Sequence, residues 1–174
     1  MLIDENDLAH SDVDDLQLVQ EMGIRPVHRD SFTWSPHGIA GITAQRGFRR
    51  QGTYVDLVAR VTPYSSEELA IAHVEHADET IVHDPTKRVE ILRAHNLGNI
   101  QIDGLQTVFA HEETMKVGDK TYTVLIIFSH VGQVLFSIQI SSQNDYWKWE
   151  DAASLAIIQA DKIRRNSNML GQIF

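Results

Sequence analysis

NIQIDGLQTVFAHEETMKVGDKTYTVLIIFSHVGQVLFSIQI, Asn99–Ile140, is the part of the chain with the clearest structural pattern. It contains three β-type runs, Leu105–Met115, Lys120–Ser129 and Gln133–Ser141, the last ending one residue past the quoted stretch. Gly118-Asp119 separates the first two and Val131-Gly132 the second two, which predicts an antiparallel meander. In the middle run Tyr122, Val124, Ile126 and Phe128 share one face, and Thr121, Thr123, Leu125, Ile127 and Ser129 the other. In the third run Val134, Phe136, Ile138 and Ile140 line up on one side. Both runs are more apolar on one side, as when helices cover one face of an antiparallel sheet. The middle run is apolar enough on its second face to be central and covered there as well.

After the meander a C-terminal helix is predicted from Tyr146 to Arg165, capped by Asn144 or Asp145. Trp149, Ala153, Ala156, Ala160 and Ile163 form its packing face, with small residues between two large ones. Trp147, Leu155 and Ile158 fall on roughly the opposite side and call for a second partner: a helix, a loop or another subunit. Upstream, Val89 and Ile91 mark a strand in Lys87–Ala94. Ser65 or Ser66, followed by Glu67 and Glu68, opens a helix whose apolar side is Leu69, Ile71, Ala72, Ala77 and Ile81. Thr53–Val61 alternates as a strand. Pro26–Gly52 is punctuated by proline and glycine, with short strands expected at Phe32–Trp34 and Ile39–Gln45. Asp12, Asp14 and Asp15 ahead of Leu16 and Val19 predict a short helix that ends at Gly23. The expected organisation is a mobile acidic leader (1–10), one α+β domain (11–165) and a loosely held tail (166–174). The domain is a largely antiparallel sheet with a C-terminal meander, flanked by helices.

Composition excludes more than it assigns. The 174 residues include no cysteine, which removes disulfides, thiolate metal sites and cysteine nucleophiles. Of 24 acidic residues, seven lie in residues 1–24, where there is no Lys or Arg. The remaining 17 nearly balance 15 basic residues, so nucleic-acid binding, which needs a basic face, is not expected. The longest apolar run, Val124–Phe128, is too short to span a bilayer. Residues 1–20 lack the basic and apolar regions of a signal peptide, so a cytoplasmic protein is expected, or a secreted or envelope protein if a leader has been removed.

Candidate sites are few. His73 and His76 stand three apart on a predicted helix beside Glu75, Asp78 and Glu79, a spacing that can turn two imidazoles to one ion. No HExxH-type motif accompanies them, and solvated side chains on an exposed helix are the preferred reading, with no metal or other cofactor expected. Arg46, Arg49 and Arg50, with Arg25 and Arg29, form the only basic concentration; they could contact an anionic partner or simply balance the acidic N-terminus. There is no GxSxG elbow, P-loop or GxGxxG, so catalysis has no positive support and no catalytic residue is assigned. Tyr146 and Trp147, with Leu155 and Ile158, are the aromatic and apolar candidates for a contact surface, and they also motivate a homodimer.

The residues NIQIDGLQTVFAHEETMKVGDKTYTVLIIFSHVGQVLFSIQISS, followed by YWKWEDAASLAIIQADKI, resemble the PsbP-like α/β sandwich group, which includes PsbP, the DcrB proteins and the LpqN lipoproteins. Ile102-Asp103-Gly104-Leu105 looks like the phrase that opens the meander in that group, and LVQEMGIRPVHRD is similar to the start of LpqN-type domains. The chain departs from LpqN in having neither a leader nor a lipid-accepting cysteine. The group has no shared catalytic residues to carry over. The resemblance implies a non-catalytic protein-binding domain, an adaptor or secretion-associated chaperone, with another protein as partner. The alternative reading is a small-molecule or anion-binding protein, or a metal-dependent hydrolase.

Overall fold

Two glycine turns build the centre of the molecule. The computed structural model describes residues 2–8, 16–26, 42–50, 55–80, 89–143 and 147–170. Strand β5 (Gln106–Val117) returns as β6 (Lys120–Val131), and β6 returns as β7 (Val134–Ser142). Each connection is two residues long, and its first residue, Gly118 or Gly132, has a positive φ of 62° or 54°. That backbone matches the twist of the flanking strands and is open to glycine at little steric cost. The expected meander is therefore present.

Four more strands extend it: β1 (Leu16–Pro26), β2 (Ile42–Arg50), β3 (Val55–Pro63) and β4 (Val89–Ile100). The described residues form one seven-stranded sheet in the order β1-β2-β3-β7-β6-β5-β4, with every pairing antiparallel. The α+β class and the antiparallel sheet follow the expectation. The helix expected after Asp12 does not: residues 16–26 are strand β1. Leu16, Val19 and Met22 fit a helical stripe, but pairing with β2 supplies partners for this segment's backbone N–H and C=O groups. Pro26, which has no N–H to donate, ends this edge strand. The strand expected at Phe32–Trp34 lies outside the described residues.

One face of the sheet is closed by helix α4 (Trp149–Leu170), which packs on β6 and β7. Its fully buried side chains are Ala152, Leu155, Ala156, Ala160, Gln159 and Ile163. Their spacing of three and four residues makes one continuous stripe. The three alanines let the helix approach Ile127, Phe136, Ile138 and Ile140, which belong to the same buried core. The expected packing face was rotated by part of a turn: Leu155 lies inside, and Ala153 is only half-buried. The helix start also differs, because Asp151 accepts from the Lys148 N–H at 2.8 Å, as a third-position acid does in a capping box. At the other end α4 runs past Arg165 to Leu170, into the expected tail.

Residues 2–8 are also held. The short helix α1 (Glu5–Leu8) lies beside α4, and Ile3 and Leu8 join its core. The Ile3 N–H donates to buried Gln159 Oε1 at 3.1 Å, and Arg46 Nη1 donates to the Ile3 carbonyl at 3.0 Å. Lys162 is hydrogen-bonded to both Asp4 and Asp7. The Lys162 ammonium holds the Asp4 carboxyl below the usual carboxylate range. Residues 2–8 are thus packed onto the domain, against the expectation of a mobile leader. What composition alone does not show is that two apolar side chains and a backbone N–H have seats here.

On the second face, helix α2 (Glu67–Glu75) lies over β5, β6 and β7, followed by a single turn, α3 (Ala77–Thr80). Ser66 is its N-cap and accepts from the Leu69 N–H at 3.4 Å, as the sequence predicts. Val74, Ala77, Phe109 and Leu135 form its small core, with Tyr64 and Phe128 packed against it. His73 is buried in this layer, its Nδ1 sharing a 2.5 Å hydrogen bond with Tyr64 Oη. Burial pushes His73 down to about 4 and Tyr64 up to about 12.

Two outcomes are expected. Ile3→Ala should lower the urea-denaturation stability by roughly 2–4 kcal/mol, since it empties a closed site. A change near zero would mean that the N-terminal segment is not docked. For His73, the unfolded imidazole takes up a proton near its ordinary 6.5 and the folded one only near 4. Its contribution is fully present above pH 6.5 and is lost as pH falls toward 4. Between pH 7.5 and 4.5 the wild type should lose about 2 kcal/mol more than His73→Phe. Equal losses would show that the ring does not titrate in this way.

Candidate functional site

The second face changes character across its width. Register places Gln45, Arg60, Ser137, Phe128 and Phe109 in one row from β2 to β5. The next row is Val58, Gln139, Ile126 and His111. The phenylalanines lie in the part covered by α2, whereas the half on β2, β3 and β7 is polar. Successive side chains alternate between faces, so Leu57, Ala59 and Val61 enter the main core while Asp56, Val58 and Arg60 point the other way.

Arg60 is the centre of this polar half. It is half-buried, and burial lowers its pKa from the usual guanidinium value, although an arginine remains charged. Its Nε donates to Gln45 Oε1 at 2.8 Å and its Nη1 to Gln139 Oε1 at 3.1 Å. Both acceptors are neutral, and no carboxylate pairs with Arg60 among the described residues. The carboxylate on the same strand and face, Asp56, is held by Arg49, whose Nε and Nη2 donate to it at 2.6 and 3.1 Å.

A second polar group lies two strands away from Gln139. His111 Nε2 and Glu113 Oε1 are 2.7 Å apart, both buried on β5, and His111 Nδ1 has no hydrogen-bond partner among the described residues. His130, also buried, turns its Nδ1 to the Gly132 carbonyl at 3.1 Å.

The residues singled out from sequence fall in different places. Arg46 and Arg49 belong to strand β2 and point to opposite faces, Arg46 to the N-terminal segment and Arg49 to Asp56. They do not form one basic loop. The side chain of Arg50 lies outside the described residues, as does Tyr146. Trp147 is 5% exposed, its indole N–H donating to the Ser141 carbonyl at 3.1 Å. Leu155 is fully buried and Ile158 packs partly against the same core. Trp147 and Leu155 are used inside this chain, which removes the reason they offered for a second subunit. His73 is buried against Tyr64 while His76 is exposed and bonds the Ala72 carbonyl, so the two imidazoles do not converge. Arg60 was legible only as the outward residue of an alternating strand; its glutamine partners stand 15 and 79 residues away.

No family model matches the chain, and no curated protein matches it. Among solved structures it is similar to the extracellular domain of PknH from Mycobacterium tuberculosis, with a TM-score of 0.65 and 10% sequence identity. The match covers 94% of this chain and 93% of that one. At such identity the likeness is one of fold, and it agrees with the open antiparallel α+β architecture described above. No helix among the described residues is long and apolar enough to cross a membrane.

Proposed function

We propose that this protein is a non-catalytic binding domain that engages another protein on the polar half of its second sheet face. The observation that carries this reading is the asymmetry of the sheet. On one face α4 packs on β6 and β7, and Phe48 of β2 and Leu57, Ala59 and Val61 of β3 share its buried core, whereas on the other α2 lies over β5, β6 and β7. Gln45, Val58, Arg60 and Gln139 there remain partly accessible. A surface whose side chains are already hydrogen-bonded to one another suits recognition, because less ordering is needed when a partner arrives. The buried histidines support a structural use for themselves: His111 is engaged by Glu113 and His73 by Tyr64.

The similarity to an extracellular domain, and the resemblance of the meander and last helix to the PsbP-like group, both support a binding role over a catalytic one. An adaptor or secretion-associated chaperone is the form of this role we favour. The cytoplasmic location expected from sequence stands beside an extracellular structural neighbour, and fractionation of the native source decides between them.

Affinity capture from native lysate tests the surface. A protein retained by the wild type and by Ser154→Ala, a change on the exposed side of α4, should fall at least several-fold with Gln139→Trp. Unchanged retention by Gln139→Trp, or no protein retained by the wild type, would contradict the proposal.

A further inference from the structure

The polar half of the second face is a set of donors around one unneutralised cation. Gln45 and Gln139 each turn the carbonyl oxygen of the side-chain amide to Arg60. That choice fixes the opposite end of each amide as an NH2 group, and neither nitrogen has a partner among the described residues. The Nη2 nitrogen of Arg60 is likewise without a protein acceptor there. Ser137, directly opposite Arg60 in the β3–β7 register, is a buried hydroxyl residue in the same row.

This is an uncommon way to place an arginine. A charge taken partly out of water is stabilised when a carboxylate faces it, and the chain carries a formal net charge of −9. Yet Asp56, on the same strand and face, is held by Arg49 through both carboxylate oxygens. The two glutamines orient the guanidinium without neutralising it. An oriented fork that keeps N–H groups and its full charge is the donor set that carboxylates and phosphates accept from.

The geometry points to an oxyanion-binding site at Arg60, in which Gln45, Gln139 and Ser137 add neutral donors to the guanidinium. This inference rests on the reading of the polar face as a binding surface, and it names the chemistry that the surface selects. The ligand group is a carboxylate or a phosphoryl group, carried by a partner or by a small molecule. The neutral orienting shell also explains why glutamines stand where a simple ion pair would have a glutamate: an acid there would neutralise the cation and repel the ligand.

Nuclear magnetic resonance of the full chain tests this through the Arg60 Nε–H and the Gln45 and Gln139 side-chain NH2 signals. Sodium acetate and sodium phosphate are titrated separately against sodium chloride at matched ionic strength. We expect saturable shifts of these signals beyond the chloride control with at least one of the two oxyanions. Saturation by acetate assigns a carboxylate, and saturation by phosphate alone assigns a phosphoryl group. Arg60→Met should weaken the apparent affinity by roughly tenfold or more. If that variant does not fold, Gln139→Leu, which keeps the cation and removes one donor, should weaken it less but measurably. Shifts no larger than with chloride, or affinities unchanged in the variants, would overturn the oxyanion assignment. Loss of a captured protein with Gln139→Trp would still stand in that case, so the two readings fail separately.

Discussion

The seat of helix α4 on the sheet is the constraint from which the rest of the architecture follows. Ala152, Ala156 and Ala160 bring the helix close to the sheet, where Ile127, Phe136, Ile138 and Ile140 share its buried core. At that separation the interior has no room to spare, since protein cores pack as densely as organic crystals. Leu155 and Ile163 fill the space between the alanines, and buried Gln159 is accommodated because it accepts from the Ile3 N–H. The N-terminal segment therefore depends on α4 as much as the sheet does. With the main core on one side, the second face carries, among the described residues, the small cluster beneath α2. The remainder of that face is free to be polar.

Much of this was legible in local sequence. The meander declared itself through alternation in β6 and β7 and through the two glycine turns, all of which are features of neighbouring residues. Ser66 as a helix cap was equally local. Three features were not. Residues 16–26 carry apolar positions that fit both a helical stripe and a strand, and only pairing with β2 decides between them. Helix α4 has large apolar residues on both sides, so its buried side depends on what lies beneath it; Trp147 and Leu155 were assigned outward for that reason. The Ile3 seat requires Gln159 and Arg46, which are distant in the chain.

The candidate site was the least legible part, for the same physical reason. An arginine in an alternating strand is ordinary, and nothing within a few residues of Arg60 marks it. Its character comes from Gln45 on β2 and Gln139 on β7, which meet it only when β3 lies between those strands. Arg46 and Arg49, by contrast, drew notice through proximity in sequence, yet the pleat sends them to opposite faces and each is engaged within the chain. Clusters read along a chain and clusters formed across a sheet are different objects. The second kind forms the surface proposed here for binding.

Natural proteins retain groups that stability alone would not select where those groups meet a ligand. The α4 face holds the fold, and the proposed role of Arg60 is recognition. Urea denaturation of Arg60→Met beside Ala156→Leu tests that division most directly. Ala156→Leu overpacks the helix seat and should cost about 1–3 kcal/mol. Arg60→Met removes a partly desolvated charge whose glutamine partners can turn to water, and its stability should stay within about 0.5 kcal/mol of wild type or rise. A loss from Arg60→Met as large as that from Ala156→Leu would show instead that the arginine holds the sheet together.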